Sequence, residues 1–277
     1  MDRKKIKQER KHISSSYLNL TFLTAFITLL ILLSFTAFFR NITWKDDLTL
    51  WEDVVNKGPN KPRAYMGRGF AYSNKGQHDR AVEDYNKAIA LNPNYAYAYN
   101  NRGNVYGKKG QYDRAIEDFN KAIALAPNYA EAYNNRGIAY DNKGQHDRAI
   151  EDFNKAIALD PNDAYAYSNR GNVYNNKGQY DMAIADYNKA IALDPNDAFA
   201  YYNCGNAYAK KGQYDMAIED FNKAIALDPN YAKAYNNRGN AYTIKGNINK
   251  AIFDFQKACD LGSEIGCENL QEVLQKR

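Results

Sequence analysis

Reactive side chains are scarce in this 277-residue chain, which has three histidines, three cysteines and two tryptophans. It contains no H-E-x-x-H, no C-x-x-C, no phosphate-binding glycine loop and no nucleophile elbow, so the common metallopeptidase, dithiol, nucleotide-binding and serine-hydrolase patterns are excluded. An excess of basic charge is also lacking over most of the chain. The net charge is +5, but residues 1–40 hold seven of the 37 Lys and Arg and two of the 32 Asp and Glu, which leaves thirty of each sign from residue 41 on. A nucleic-acid partner therefore has no basic surface to rest on. Only one long uncharged hydrophobic run occurs, at residues 18–39. Prolines number just seven, yet five of them, Pro93, Pro127, Pro161, Pro195 and Pro229, keep a constant spacing of 34 residues.

A fixed period of 34 residues is a mark of stacked helix-turn-helix units. Gly69, Gly103, Gly137, Gly171, Gly205 and Gly239 keep the same beat, as do Gly76, Gly110, Gly144, Gly178, Gly212 and Gly246 seven residues further on. Six units follow, at 62–95, 96–129, 130–163, 164–197, 198–231 and 232–265, the third reading AEAYNNRGIAYDNKGQHDRAIEDFNKAIALDPND. Position 4 is always Tyr, 8 is Gly, 11 is Tyr, 20 and 27 are Ala, 24 is Tyr or Phe, and 32 is Pro in five units. This pattern resembles the tetratricopeptide repeat family. The resemblance implies an all-α fold, a right-handed superhelical solenoid, and a function in binding proteins.

Helical geometry gives the same fold without the resemblance. Positions 4, 7, 8 and 11 share one face of a first helix, and 20, 21, 24, 27 and 28 share one face of a second. Glycine at 8 is expected to let the two backbones approach, and alanine at 20 and 27 to leave room for the rings at 4, 11 and 24. Glycine at 15 suits a helix stop, and proline at 32 ends the second helix by disfavouring helical geometry in the residue before it. No unit buries its apolar face alone, so neighbours must stack. Position 7, commonly Leu in the family, is Arg68, Arg102, Arg136, Arg170 and Arg238, with Cys204 the exception. The aspartates at position 23, such as Asp152 and Asp186, are expected to receive these guanidinium groups across the hairpin. His78 and His146, at position 17, read as hairpin packing residues, and Cys204 as a packed free thiol.

Residues 18–39, LNLTFLTAFITLLILLSFTAFF, are long enough to cross a bilayer as a helix. A cleaved signal peptide is the competing reading, but no A-x-A-like site follows and the run exceeds a usual h-region, so an uncleaved anchor is favoured. The basic tail of residues 1–17 predicts a cytoplasmic N-terminus and extracytoplasmic repeats, in a bacterium facing the periplasm. Residues 41–61 keep the repeat register, with Trp44, Leu48, Trp51, Val54 and Val55 at positions 17, 21, 24, 27 and 28. They read as half a repeat covering the first edge. The stretch RNITWKDDLTLWEDVV resembles the junction of multispan O-mannosyltransferase-type proteins, which implies an accessory role in a membrane glycosyltransferase or envelope system as an alternative function.

At the other end, residues 266–277 are expected to form an amphipathic capping helix through Ile265, Leu270, Val273 and Leu274. Cys259 and Cys267, in KACDLGSEIGCENL, resemble the cysteine pairs of Sel1-like repeat proteins. That resemblance implies a Cys259 to Cys267 disulfide, which an extracytoplasmic location would permit. Two reduced core thiols are the alternative.

In the family, positions 2, 5, 6, 9, 12 and 13 line the concave face. Position 6 here is Asn101, Asn135, Asn169, Asn203 and Asn237, and position 9 adds Asn104, Asn172, Asn206 and Asn240. Asparagine is a poor mid-helix residue, so helix stability does not select it. Its amide both donates and accepts, as a peptide backbone does. The arrangement resembles the asparagine ladder of the O-GlcNAc transferase repeat domain and implies a peptide groove, with Tyr97, Tyr165 and Phe199 at position 2 on its edge. Recent duplication of one unit would also reproduce any residue in a fixed slot, so both readings stand. The reading as a whole is a membrane-anchored scaffold for a protein or extended peptide, not an enzyme, with no cofactor, no metal, no small-molecule substrate and no nucleic acid.

Overall fold

The structure is a computed structural model that describes residues 26–30 and 46–276. Every regular element among the described residues is α-helical. Residues 26–30 are helical, with Phe26, Ile27, Leu29 and Leu30 exposed. The rest of the expected membrane segment, all of the basic tail of residues 1–17, and residues 41–45 of the expected half repeat, Trp44 among them, lie outside the described residues. Among the described residues no helix is long and apolar enough to cross a membrane. The chain divides into two compact units, Met1–Pro93 and Asn94–Arg277.

The first unit contains α1 (Asp47–Lys57), α2 (Pro62–Asn74) and α3 (His78–Leu91). Asp46 opens α1 with a capping box, its side chain accepting from the Thr49 N–H while the Thr49 hydroxyl accepts from the Asp46 N–H. Helix α1 takes the slot of a second repeat helix and packs against α2. Trp51 lies over Gly67 of α2 so closely that a Cβ at Gly67 would meet the indole at 2.4 Å. The half repeat therefore covers the open face of α2, as a terminal repeat must.

The second unit contains α4 (Ala96–Lys108), α5 (Tyr112–Leu125), α6 (Ala130–Asn142), α7 (His146–Leu159), α8 (Ala164–Asn176), α9 (Tyr180–Leu193), α10 (Ala198–Lys210), α11 (Tyr214–Leu227), α12 (Ala232–Ile244), α13 (Ile248–Asp260) and α14 (Glu264–Gln275). In each hairpin the first helix takes positions 1 to 13. Its end is a Schellman turn: in the third repeat the Gln145 N–H bonds to the Tyr140 carbonyl and the Gly144 N–H to that of Asp141. Gly144 has φ +73°, a left-handed conformation that costs glycine nothing, and this explains the second glycine series. The second helix stops at Leu159, where Asp160 turns extended before Pro161.

Packing assigns the first glycine series a different task from the one expected. A Cβ on Gly137 would meet the Phe153 ring at 2.8 Å, so glycine at position 8 makes room for the aromatic ring at position 24 more than for a neighbouring backbone. That ring then reaches the next repeat. Phe153 clusters with Ala149 of its own helix and Val173 of α8, with Tyr140 and Ile150 alongside, and Phe119 packs in the same way against Ala139. Each ring so buried contributes about 2–3 kcal/mol. On the surface, Lys143, Lys177, Lys211 and Lys245 bind Asp113, Asp147, Asp181 and Asp215 of the preceding repeat. These are exposed pairs of small individual worth, about 0–1 kcal/mol.

The C-terminal helix differs from expectation in its start and in two of its four apolar residues. It begins at Glu264 because the Ser263 side chain accepts from the Gly266 N–H and fixes the N-cap there. Val273 is buried and Leu270 packs against the core of Ala251 and Phe255, whereas Ile265 is 62% and Leu274 51% exposed. Cys259 and Cys267 are joined in a disulfide that ties α13 to α14, with the Cα atoms 4.6 Å apart.

Candidate functional site

The hairpins are held from inside by the arginines of position 7. Arg136 donates from Nε and Nη2 to the two oxygens of Asp152 at 2.7 and 2.6 Å, and Arg68, Arg102, Arg170 and Arg238 repeat this bidentate bond with Asp84, Asp118, Asp186 and Asp254. The third nitrogen reaches the preceding repeat, where Asn120, Asn154 and Asn222 accept from Arg136, Arg170 and Arg238 at 2.5–2.6 Å. Two tyrosine rings flank the guanidinium of Arg68, Arg102, Arg136 and Arg170, as Tyr133 and Tyr140 flank Arg136, and Tyr235 lies against that of Arg238. Hydrogen bonding to the aspartate lifts the pKa of Arg68, Arg102, Arg136 and Arg170 above the usual arginine value. These side chains are consumed by the fold and present nothing to a ligand.

The fifth repeat breaks the pattern. Cys204 is fully buried, and its partner Asp220 has a buried Oδ2 with no hydrogen bond. Burial pushes the Asp220 pKa above its ordinary value.

Attention then falls on the first-helix face. In the second unit α4 contacts α6, α6 contacts α8, α8 contacts α10, α10 contacts α12 and α12 contacts α14. First helices thus line a continuous strip, and the position 6 asparagines stand along it, half-buried. The structure brings them together with partners that periodicity alone did not single out. Asn135 Nδ2 donates to Asn100 Oδ1 and Asn169 Nδ2 to Asn134 Oδ1, both at 3.1 Å. Asn203 donates to Asn172 at 3.2 Å, and Asn237 to Asn206 at 2.7 Å and to the Tyr202 hydroxyl. The position 6 asparagines of the third to sixth repeats are therefore each pinned to the repeat before, and a hydrogen bond of about 1 kcal/mol offsets the poor helix propensity of asparagine.

This pairing consumes N–H groups and spares carbonyls. Among the described residues, no hydrogen bond is donated to Oδ1 of Asn135, Asn169 or Asn203, and the side chains of Asn104 and Asn240 make none at all. Asn172, by contrast, accepts from both Asn203 and the Tyr187 hydroxyl, and Asn206 accepts from Asn237, while Asn101 sits half-buried at the start of the strip. Along the edge, Tyr97, Tyr165 and Phe199 are 56%, 72% and 52% exposed. No cluster of His, Cys, Asp or Glu among the described residues has metal-binding geometry. His146 is bonded through Nδ1 to Asp141 at 2.7 Å, in the turn region between its helix pair.

Comparison with known proteins fits this architecture. A tetratricopeptide repeat model matches residues 96–129, 130–163 and 232–262, a second matches 153–185, and a TPR repeat model matches 74–110, 171–212 and 205–243. Together these matches run without a gap from residue 74 to 262. Among solved structures, YrrB, described as a TPR protein with an unusual peptide-binding site, is 28% identical, with 66% of this chain and 95% of that one covered at a TM-score of 0.52. MamA from Desulfovibrio magneticus RS-1 is 30% identical, with 60% and 94% covered at a TM-score of 0.56. The APC/C hetero-tetramer Cut9-Hcn1 is 23% identical at a TM-score of 0.72; the match covers 84% of this chain but 47% of that one, so the chain spans about half its length, and at this identity the likeness concerns the fold alone. No curated protein matches.

Proposed function

From the premise that this chain belongs to the tetratricopeptide repeat family, we propose that it is a non-catalytic scaffold whose first-helix strip holds an extended segment of another protein. The observation that carries this reading is the row of side-chain carbonyls on Asn135, Asn169 and Asn203, which accept no hydrogen bond internally and recur once per repeat. Backbone N–H groups of an extended chain are the donors that such a row fits. Asn104 and Asn240 add amides free to donate and accept, and Asn101, Asn172, Asn206 and Asn237 complete the strip. The exposed rings of Tyr97, Tyr165 and Phe199 offer side-chain contacts on one edge.

Crosslinking of the intact protein in its native membrane tests this. Asn135→Ala with Asn169→Ala removes two carbonyls of the row together with two internal hydrogen bonds. Asn100→Ala with Asn134→Ala breaks the same two internal bonds but keeps the carbonyls. Partners lost in the first pair and kept in the second support the strip as the binding surface. An identical crosslinking pattern in both would sink it.

The proposal extends to location. The uncharged run of residues 18–39 serves as an uncleaved anchor, the basic tail stays cytoplasmic, and the repeats lie outside the cytoplasm. The Cys259–Cys267 disulfide supports this placement, since such bonds persist in oxidising compartments. Alkylating whole cells before any reduction should leave both thiols unmodified. Full labelling of Cys259 and Cys267 would instead place the repeats in a reducing compartment. A second reading, an accessory role in a membrane glycosyltransferase system, is favoured only by the RNITWKDDLTLWEDVV junction.

A further inference from the structure

The strip is not uniform. Where α8, α10 and α12 meet, it deepens into a pocket of about 460 Å³. Its floor is apolar, formed by Ala209 and Ala241 with the Phe221 ring beneath and Ile244, 61% exposed, on one wall. On its lining position 12 is alanine, Ala209 of the fifth repeat, where the third and fourth carry Asp141 and Asn175. A small side chain there leaves the pocket unfilled.

Six polar side chains also line it: Asn206 and Asn237, bonded to each other, with Tyr214, Asn175, Asn240 and Lys210. Asn175 Oδ1, on the lining, is buried and receives no hydrogen bond, an unfavourable state that an arriving donor relieves. Asn240 lines the opposite side with an amide that bonds to nothing within the described residues. Lys210 stands at the rim and makes no ion pair among the described residues, although the adjacent Lys211 is bound by Asp181. No carboxylate lines the pocket, so its electrostatic preference is for an anion.

We infer that this pocket is the specificity site of the scaffold, taking a bulky aliphatic side chain whose neighbour in the bound peptide is acidic. The inference rests on the strip being a peptide-binding surface and adds the class of sequence it selects. The aliphatic group covers Ala209, Ala241 and Ile244. The peptide N–H beside it donates to Asn175 Oδ1 and satisfies the orphaned acceptor. The acidic side chain pairs with Lys210 at the rim. The second repeat also joins a small position 12 to a lysine at 13, in Gly107 and Lys108, but among the described residues the buried unbonded amide oxygen stands one repeat back only at Asn175, ahead of Ala209 and Lys210.

Fluorescence anisotropy of the full chain in detergent, with acetylated and amidated ten-residue probes of Gly, Ser and Asn, tests it. The probes carry a central Leu-Asp, Leu-Lys or Ser-Asp pair. The Leu-Asp probe is expected to bind at least about tenfold more tightly than either of the others. Lys210→Glu should invert the preference between Leu-Asp and Leu-Lys, and Ala209→Phe, which fills the pocket, should abolish it. Circular dichroism of each variant confirms that the helices remain. Equal binding of all three probes, binding of none, or a preference untouched by both Lys210→Glu and Ala209→Phe would overturn the inference. Failure here remains distinct from failure of the strip. Probes that bind indifferently to pocket variants, with partners still lost from the Asn135 and Asn169 pair in membranes, leave the strip standing and remove the pocket.

Discussion

Replacing Arg136 with leucine should destabilise the folded chain by about 3–5 kcal/mol, the scale seen when one partner of a buried ion pair is removed. The reason is the carboxylate left behind. Asp152 is 8% exposed at its side chain, and the guanidinium supplies both of its oxygens with hydrogen bonds. Leucine takes the guanidinium away from Tyr133 and Tyr140 and leaves the charge buried and unpaired, and Asn120 also loses its donor. Adding Asp152→Leu removes that charge and should restore most of the loss, since an apolar pair of similar size often replaces a buried ion pair without penalty. Urea unfolding followed by circular dichroism measures the total, and amide exchange shows whether protection falls first in α6 and α7. A single-variant loss below about 1 kcal/mol would mean that water reaches Asp152 and that the pair is not what secures the hairpin.

The fifth repeat shows the result of losing that partner in the natural sequence. Asp220 stands where its counterparts accept an arginine, and Asn188 stands where Asn154 and Asn222 accept the third nitrogen, with its Oδ1 3.9 Å from Cys204 Sγ. Tyr201 and Tyr208 hold the two ring positions. Every part of the arginine cradle is present except the arginine. Cys204→Arg is therefore expected to stabilise the chain by about 1–3 kcal/mol, the range for hydrogen bonds to a charged group.

The pH dependence carries a distinct sign. Burial raises the folded pKa of Asp220 above the 3.8 of a free side chain, so its favourable contribution is complete below 3.8 and is lost as pH rises through the folded value. At neutral pH the residue is a net cost. Asp220→Asn should then stabilise the protein at pH 7 and leave it little changed at pH 3.5, which thermal melts at the two pH values will show. If Asp220→Asn stabilises while Cys204→Arg does not, the site lacks room for arginine among Tyr174, Ile184 and Tyr187, which pack around the thiol. If neither does, the unpaired carboxylate is not a defect.

The contrast between positions 7 and 6 shows what a repeat pattern can reveal. An arginine on the buried face of a first helix needs an acceptor, and position 23 was the only acidic slot that faced it with the same period. That pair was legible because both partners recur and because a buried charge tolerates few alternatives. The asparagines were legible as an anomaly but not as a network. Their acceptors sit at position 5 in the second and third repeats, Asn100 and Asn134, and shift to position 9 in the fourth and fifth, Asn172 and Asn206, where position 5 is Ser168 and Tyr202 and offers no amide. The pocket was not legible at all, since Asn175, Ala209 and Lys210 come from two repeats and each is an ordinary surface residue by itself.

The sequence by itself determined the 34-residue period, the all-α repeat fold, the turn and stop positions within each repeat and the pairing of Arg with Asp. All of these follow from local spacing: a helix repeats every 3.6 residues, glycine alone accepts the left-handed turn, and proline stops what precedes it. Tertiary structure alone decided which amide groups remain unbonded, that glycine at position 8 accommodates a ring, that Ile265 and Leu274 leave the buried face, and where the first-helix strip deepens. Those outcomes depend on distances of a few tenths of an ångström between helices far apart in sequence. Periodicity specifies which residues face one another, and packing decides which of them touch.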